Sequence, residues 1–112
     1  MAIARADTLR SLAFGSISGT YAALGTALAK TWRTFKLTNN TNGDLFISFD
    51  GINDNIFLPA NSFTLYDLST NAPNDTLGES LVLALGTQIY VKQSTAPTSG
   101  SVYAEAFYAK VP

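Results

Sequence analysis

The sequence predicts an all-β fold: a single antiparallel β-sandwich, of jelly-roll or immunoglobulin-like type, with an extended N-terminal arm. Three observations predict it. Between Phe35 and Asn71, short runs of alternating apolar and polar residues are separated by turns rich in Asn, Asp and Gly. The polar residues are mainly Ser, Thr and Asn, which suit strands and turns, while charged residues make up only 13% of the chain, about half the usual share. The 112 residues suffice for one domain, whose core buries roughly two thirds of the surface exposed by the unfolded chain.

Residues 1–18 form the arm and residues 19–112 the sandwich domain. In the arm, Ile3, Leu9, Leu12, Phe14 and Ile17 are scattered among Ala, Ser and Arg with neither a helical stripe nor clean alternation. A short helix over Ala6 to Ala13 would be ended by Gly15 and Gly19, so the extended reading is preferred. The apolar content argues that the arm docks on something.

At Thr20 to Lys30, Tyr21, Leu24 and Leu28 have helical spacing, but Thr20, Gly25 and Thr26 favour a strand with a bulge or kink at Gly25. Next, Arg33, Phe35 and Leu37 share one face of a strand and Trp32, Thr34 and Lys36 the other, so the Trp32 face needs a cover from the arm or a partner. Asn42-Gly43 is a strong type I′ hairpin signal, since both residues tolerate positive φ. Leu45, Ile47 and Phe49 then line one face of a strand closed by Asp50-Gly51. The segment Asn55 to Pro59 ends at a proline, which marks an edge or strand end. In the following strand, Phe63 and Leu65 lie opposite Tyr66 and Leu68. Ser80 to Leu85 is apolar almost throughout and reads as a strand buried on both sides or packed against another subunit. Strands over Gln88 to Gln93 and Ser101 to Val111 complete the set, the last with Val102, Ala104, Ala106 and Tyr108 on one face.

The chain has no cysteine and no histidine. Disulfides, thiolate chemistry, Ser-His-Asp hydrolysis and His-ligated zinc are thereby excluded. No run approaches the roughly 20 apolar residues of a membrane helix, and charges fall where a signal peptide needs its apolar region, so neither a membrane partner nor secretion is expected. Arg5, Arg10, Lys30, Arg33 and Lys36 against Asp7 give the first 36 residues a net charge of +4. From Leu37, Lys92 and Lys110 against Asp44, Asp50, Asp54, Asp67, Asp75, Glu79 and Glu105 give −5. The basic segment therefore lies across the acidic body of its own subunit or crosses to a neighbour. Spread-out basic residues on a mildly acidic chain argue against nucleic acid.

Three constellations invite a chemical reading. The turn Asp50 to Asn55 offers oxygen ligands but lacks the spacing and closing Glu of a calcium loop, and ordinary Asx turn chemistry accounts for it. Tyr66, Tyr90, Tyr103, Phe107, Tyr108 and Trp32 can be read as a sugar platform, although aromatics on strands more often serve cores and interfaces. The acids sit in turns, so a glycosidase pair across a cleft finds no support. No cofactor, metal or catalytic residue is assigned, and the chain is expected not to be an enzyme.

Five motifs carry a resemblance: N-N-T-N at Asn39 to Asn42, S-F-D-G at Ser48 to Gly51, L-P-A-N-S-F at Leu58 to Phe63, G-T-Q-I-Y-V-K at Gly86 to Lys92 and A-P-T-S-G at Ala96 to Gly100. With the run from Gly19 to Leu28, they resemble a group of small tailed-bacteriophage virion proteins, over nearly the whole chain from Gly19. The resemblance implies a structural component of a phage particle, a decoration protein of the capsid or a neck or tail component. It further implies synthesis in the host cytoplasm, location in the virion, and copies of itself and other virion proteins as partners. The alternative is a β-sandwich module that binds host-surface glycan. For the assembly reading, Arg5, Arg10, Leu12 and Phe14 of the arm, with Trp32, Tyr90 and Tyr108, are the expected interface residues, because large aromatics dominate interface energy.

Overall fold

The computed structural model describes residues 3–68 and 83–110. Nine strands are found among them: β1 (Ile3–Ala6), β2 (Arg10–Ala13), β3 (Ala22–Ala23), β4 (Trp32–Thr41), β5 (Leu45–Ser48), β6 (Ile56–Leu58), β7 (Ser62–Asp67), β8 (Tyr90–Gln93) and β9 (Gly100–Lys110). One sheet runs β1-β9-β4-β7, with β2 also on β9, and the other β3-β8-β5-β6. All pairings are antiparallel.

β1 and β2 pair with successive parts of β9, Ile3 opposite Lys110 and Ala13 opposite Ser101, so they act as one strand interrupted at residues 7–9. Counted that way, the pairing is nested: first strand with last, β3 with β8, β4 with β7, β5 with β6. That winding is the jelly roll rather than the immunoglobulin-like arrangement, which divides the same kind of sandwich differently between its sheets. The N-terminal segment is extended, as expected, and its place is in the first sheet of its own chain. It leaves that sheet through a 3-10 turn, Phe14–Ser16.

The core lies between the inner faces of the two sheets. Phe35, Leu37, Val102, Ala104 and Ala106 come from the first, Leu45, Ile47, Leu58 and Val91 from the second, and Ile17, Leu24, Leu28 and Ile89 from the connections. Fully burying side chains of this size stabilises by about 1.5–3 kcal/mol each. The inward series on β9 is the one expected from its alternation. Ser80 to Leu85 lies largely outside the described residues; Leu83 forms a single bridge to Trp32.

Three local expectations are corrected. Asn42-Gly43 joins strands of different sheets and does not close a hairpin, and neither residue has positive φ. Gly43 is needed instead for close approach, since a Cβ there would stand 2.3 Å from the Thr95 carbonyl oxygen. Tyr21 to Lys30 contains only the two-residue β3. Beyond it, with Gly25 at φ +70°, the chain hydrogen-bonds irregularly to the segment 86–89, Leu24 N–H to Ile89 O at 2.7 Å and Leu28 N–H to Thr87 O at 2.8 Å. Finally, the register of β4 against β9 shifts between Trp32 and Thr34. This bulge turns Trp32 away from the Thr34–Lys36 face and into the core, where it is 0% exposed.

One end of the sandwich is closed by a buried hub. The Asn39 amide nitrogen donates to the carbonyls of Gly43, Leu58 and Pro59 at 2.8, 3.0 and 3.1 Å. Its oxygen accepts from the Thr41 N–H and hydroxyl at 3.0 and 2.6 Å. Asn42 and Thr98 exchange hydrogen bonds beside it. Three of the five quoted motifs, those at 39–42, 58–63 and 96–100, thus meet at one place.

Candidate interaction surface

Two of the residues expected at an interface are internal. Arg10 is 8% exposed, and its guanidinium donates to Thr26 O at 3.0 Å, Ala27 O at 3.5 Å, Thr8 O at 3.3 Å and Asp7 Oδ2 at 3.3 Å. It also lies 5.1 Å from the centre of the Trp32 ring. Trp32 Nε1–H donates to the same Asp7 Oδ2 at 2.7 Å, and Thr8 N–H donates to Oδ1 at 2.8 Å. Burial works against the Asp7 carboxylate, but the hydrogen bonds from Trp32 and Thr8 and the Arg10 charge outweigh it and hold its pKa below the ordinary value. Asp7, Arg10 and Trp32 therefore form a latch that fastens the N-terminal strand to the body, which removes Arg10 and Trp32 as surface anchors. A shallow pocket of about 430 Å³ beside the latch is lined in part by Asp7, Arg10, Gly25 and Thr26, and the arginine fills its hydrogen-bonding role within the chain.

The other expected residues do not converge. Arg5 and Phe14 are exposed, Leu12 packs half-buried against the core, Tyr90 belongs to the second sheet, and Tyr108 stacks under the Lys30 ammonium at 5.4 Å. The aromatics considered as a sugar platform are similarly dispersed. Trp32 and Tyr66 pack around Phe35 in the interior, Tyr103 and Phe107 face outward on the first sheet, and Tyr90 lies on the second.

The acidic turn is occupied by its own backbone. Asp50 Oδ1 accepts from the N–H groups of Ile52 and Asn53 and from the Ser48 hydroxyl, each at 2.8 Å, and Oδ2 accepts from the Asn53 amide at 2.7 Å. These donors, the Asn53 and Ile52 N–H groups foremost, depress the Asp50 pKa well below the carboxylate range. Nearby, Asp54 accepts from the Tyr21 hydroxyl and pairs with Lys92 at 3.1 Å, and its pKa is lowered by those two partners. Burial and then the Asp54 contact push the Tyr21 phenol upward. Among the described residues no group of three or more His, Cys, Asp or Glu stands close enough to hold a metal ion. Nor is any helix there long and apolar enough to cross a membrane.

What the fold does concentrate is apolar surface on the outer face of the first sheet. The register sets three rows across β7, β4 and β9: Phe63–Thr38–Tyr103, Leu65–Lys36–Glu105 and Asp67–Thr34–Phe107. Phe63, Leu65 and Phe107 are 61, 60 and 52% exposed. Lys36 Nζ lies 4.5 Å from the centre of the Phe63 ring. The sequence carried half of this signal: alternation placed Phe63 and Leu65 on a common face, but nothing in a single strand says which face is covered.

Compared with protein-family models, curated proteins and solved structures, the chain finds no match. Its class is defined by its own strand order, a jelly-roll sandwich with an exposed apolar sheet face.

Proposed function

We propose that the chain is a structural component of a tailed-bacteriophage particle, which associates with copies of itself and docks on other capsid, neck or tail proteins. The observation that carries this reading is the outer face of the first sheet. Three large apolar side chains more than half exposed on one sheet face offer apolar surface that association with a partner would bury. The jelly roll is a fold of viral capsid proteins and of lectins alike, so fold alone is an analogy. Virion context is supported by the motif resemblance, and the convergence of three motifs on the Asn39 hub gives those residue types a shared structural reason.

Mass spectrometry and imaging of purified particles of the encoding virus test the proposal. The chain is expected in the particle, with hundreds of copies for a decoration protein and a dozen or fewer for a neck or tail component. Its absence from particles that are otherwise complete would sink the reading.

A further inference from the structure

We infer that a second copy of this chain packs face to face on the outer surface of the first sheet, across a two-fold axis running along the strands between β4 and β9, so that Lys36 of each copy meets Glu105 of the other. The inference rests on the self-association part of the function proposed above and assigns it a surface and a register.

The sheet itself supplies the argument. Lys36 and Glu105 are direct cross-strand neighbours in the middle row of the face. Their charges are unpaired among the described residues: the lysine ammonium turns toward the Phe63 ring, and the exposed Glu105 carboxylate has no partner there. An anion and a cation side by side at one height make the face self-complementary under one operation. An axis along the strands midway between β4 and β9 exchanges the two strands and lays each Lys36 over the other copy's Glu105. An in-plane axis across the strands would set Lys36 on Lys36 and Glu105 on Glu105, which like-charge repulsion forbids.

A two-fold contact of this kind uses the same patch on both copies, as isologous dimers do. Phe63, Leu65, Tyr103 and Phe107 surround the central pair, the arrangement in which apolar neighbours exclude water from a charged contact. Phe63, Leu65 and Phe107 together expose on the order of 300 Å² of mostly apolar surface, a fair part of the roughly 800 Å² that each partner of a standard interface buries. The Thr34, Lys36, Thr38 and Glu105 side chains on the same face supply polar surface to the remainder.

The test is sedimentation equilibrium over a wide concentration range on the full chain, on Lys36→Glu, on Glu105→Lys, on the double variant and on an equimolar mixture of the two single variants. Far-ultraviolet circular dichroism and urea midpoints establish that each is folded. The wild type is expected to self-associate, each single variant to do so at least tenfold more weakly, and the double variant to recover. The mixture is decisive, because Lys36→Glu carries two acids at the contact and Glu105→Lys two bases. Heterodimers restore both attractive pairs, and this rescue cannot arise from effects within one chain. A wild type that stays monomeric to millimolar concentration would overturn the inference together with the self-association reading. Association that is indifferent to both single variants, or that is weakened without rescue in the mixture, would overturn this surface and register while leaving self-association standing.

Discussion

At Asp7 a single carboxylate answers the Trp32 indole, the Thr8 N–H and the Arg10 guanidinium, and its pKa in the fold lies below the ordinary value. Replacing it by Asn keeps the shape and removes the charge, so Arg10 is left half-paired in a buried setting. Asp7→Asn is expected to destabilise by about 1–3 kcal/mol near neutral pH, read from urea midpoints. The pH dependence has a definite sign. A carboxylate whose folded-state pKa is depressed contributes its full stability above the unfolded value of about 3.9 and loses it as pH falls through the folded value. The gap between wild type and Asp7→Asn should therefore be constant above about pH 5 and shrink below pH 4; a gap constant down to pH 2 would remove Asp7 from this role. Asn39 tests the hub in another way. Its amide hydrogens face three carbonyl oxygens, and Asn39→Asp replaces both donors with a charge aimed at them. Asn39→Asp is expected to cost at least about 3 kcal/mol and to be worse than Asn39→Ala, an order that thermal melts can check.

Among the elements, β1 and β2 change most in meaning between sequence and structure. Their scattered apolar residues read as an arm docked on its own subunit or on a neighbour, and the extended conformation was legible from the two glycines and the lack of a helical stripe. That they pair with β9 of the same chain was not, because no local pattern records a partner about a hundred residues away. The same limit explains Asn42-Gly43. Turn chemistry was plain, but whether the turn reverses a hairpin or crosses between sheets depends on where β7 and β9 lie. At Trp32 the alternation argument failed for a local reason, a bulge that adds a residue without any glycine to announce it. The strand alternations at β5 and β9 survived, since each has one face on the core throughout. The exposed rows of the first sheet were legible only as faces, and Lys36 and Glu105 became neighbours only when the β4–β9 register was known. A consequence concerns truncation. Deleting residues 1–13 removes both strands from β9, the Asp7–Arg10 half of the latch and the cover on Trp32. We expect a truncated chain that is broadly destabilised, with a urea midpoint far below that of the full chain, and not a folded body lacking only an assembly arm. An unchanged midpoint would contradict the latch.

Across the whole molecule, nested pairing means that the native sandwich closes only when the last strand arrives. β9 lies between β1/β2 on one side and β4 on the other and brings Val102, Ala104 and Ala106 to the core. Without it the first sheet has no centre, so a chain ending at Ser99 should show no dispersed amide spectrum, whatever its concentration. The same topology sets a rate. First-with-last pairing requires a loop of about the full chain length to close before its contacts reward it, and domains dominated by such pairings fold in milliseconds to seconds. Refolding of the full chain from urea, followed by Trp32 fluorescence, is therefore expected on that timescale. Trp32 sits at the seam where the N-terminal strand, β4 and Leu83 meet, so its signal reports closure of the sandwich and not a local turn. A main phase completed within tens of microseconds would mean that Trp32 is buried by local collapse, and would separate formation of the core from docking of the two chain ends.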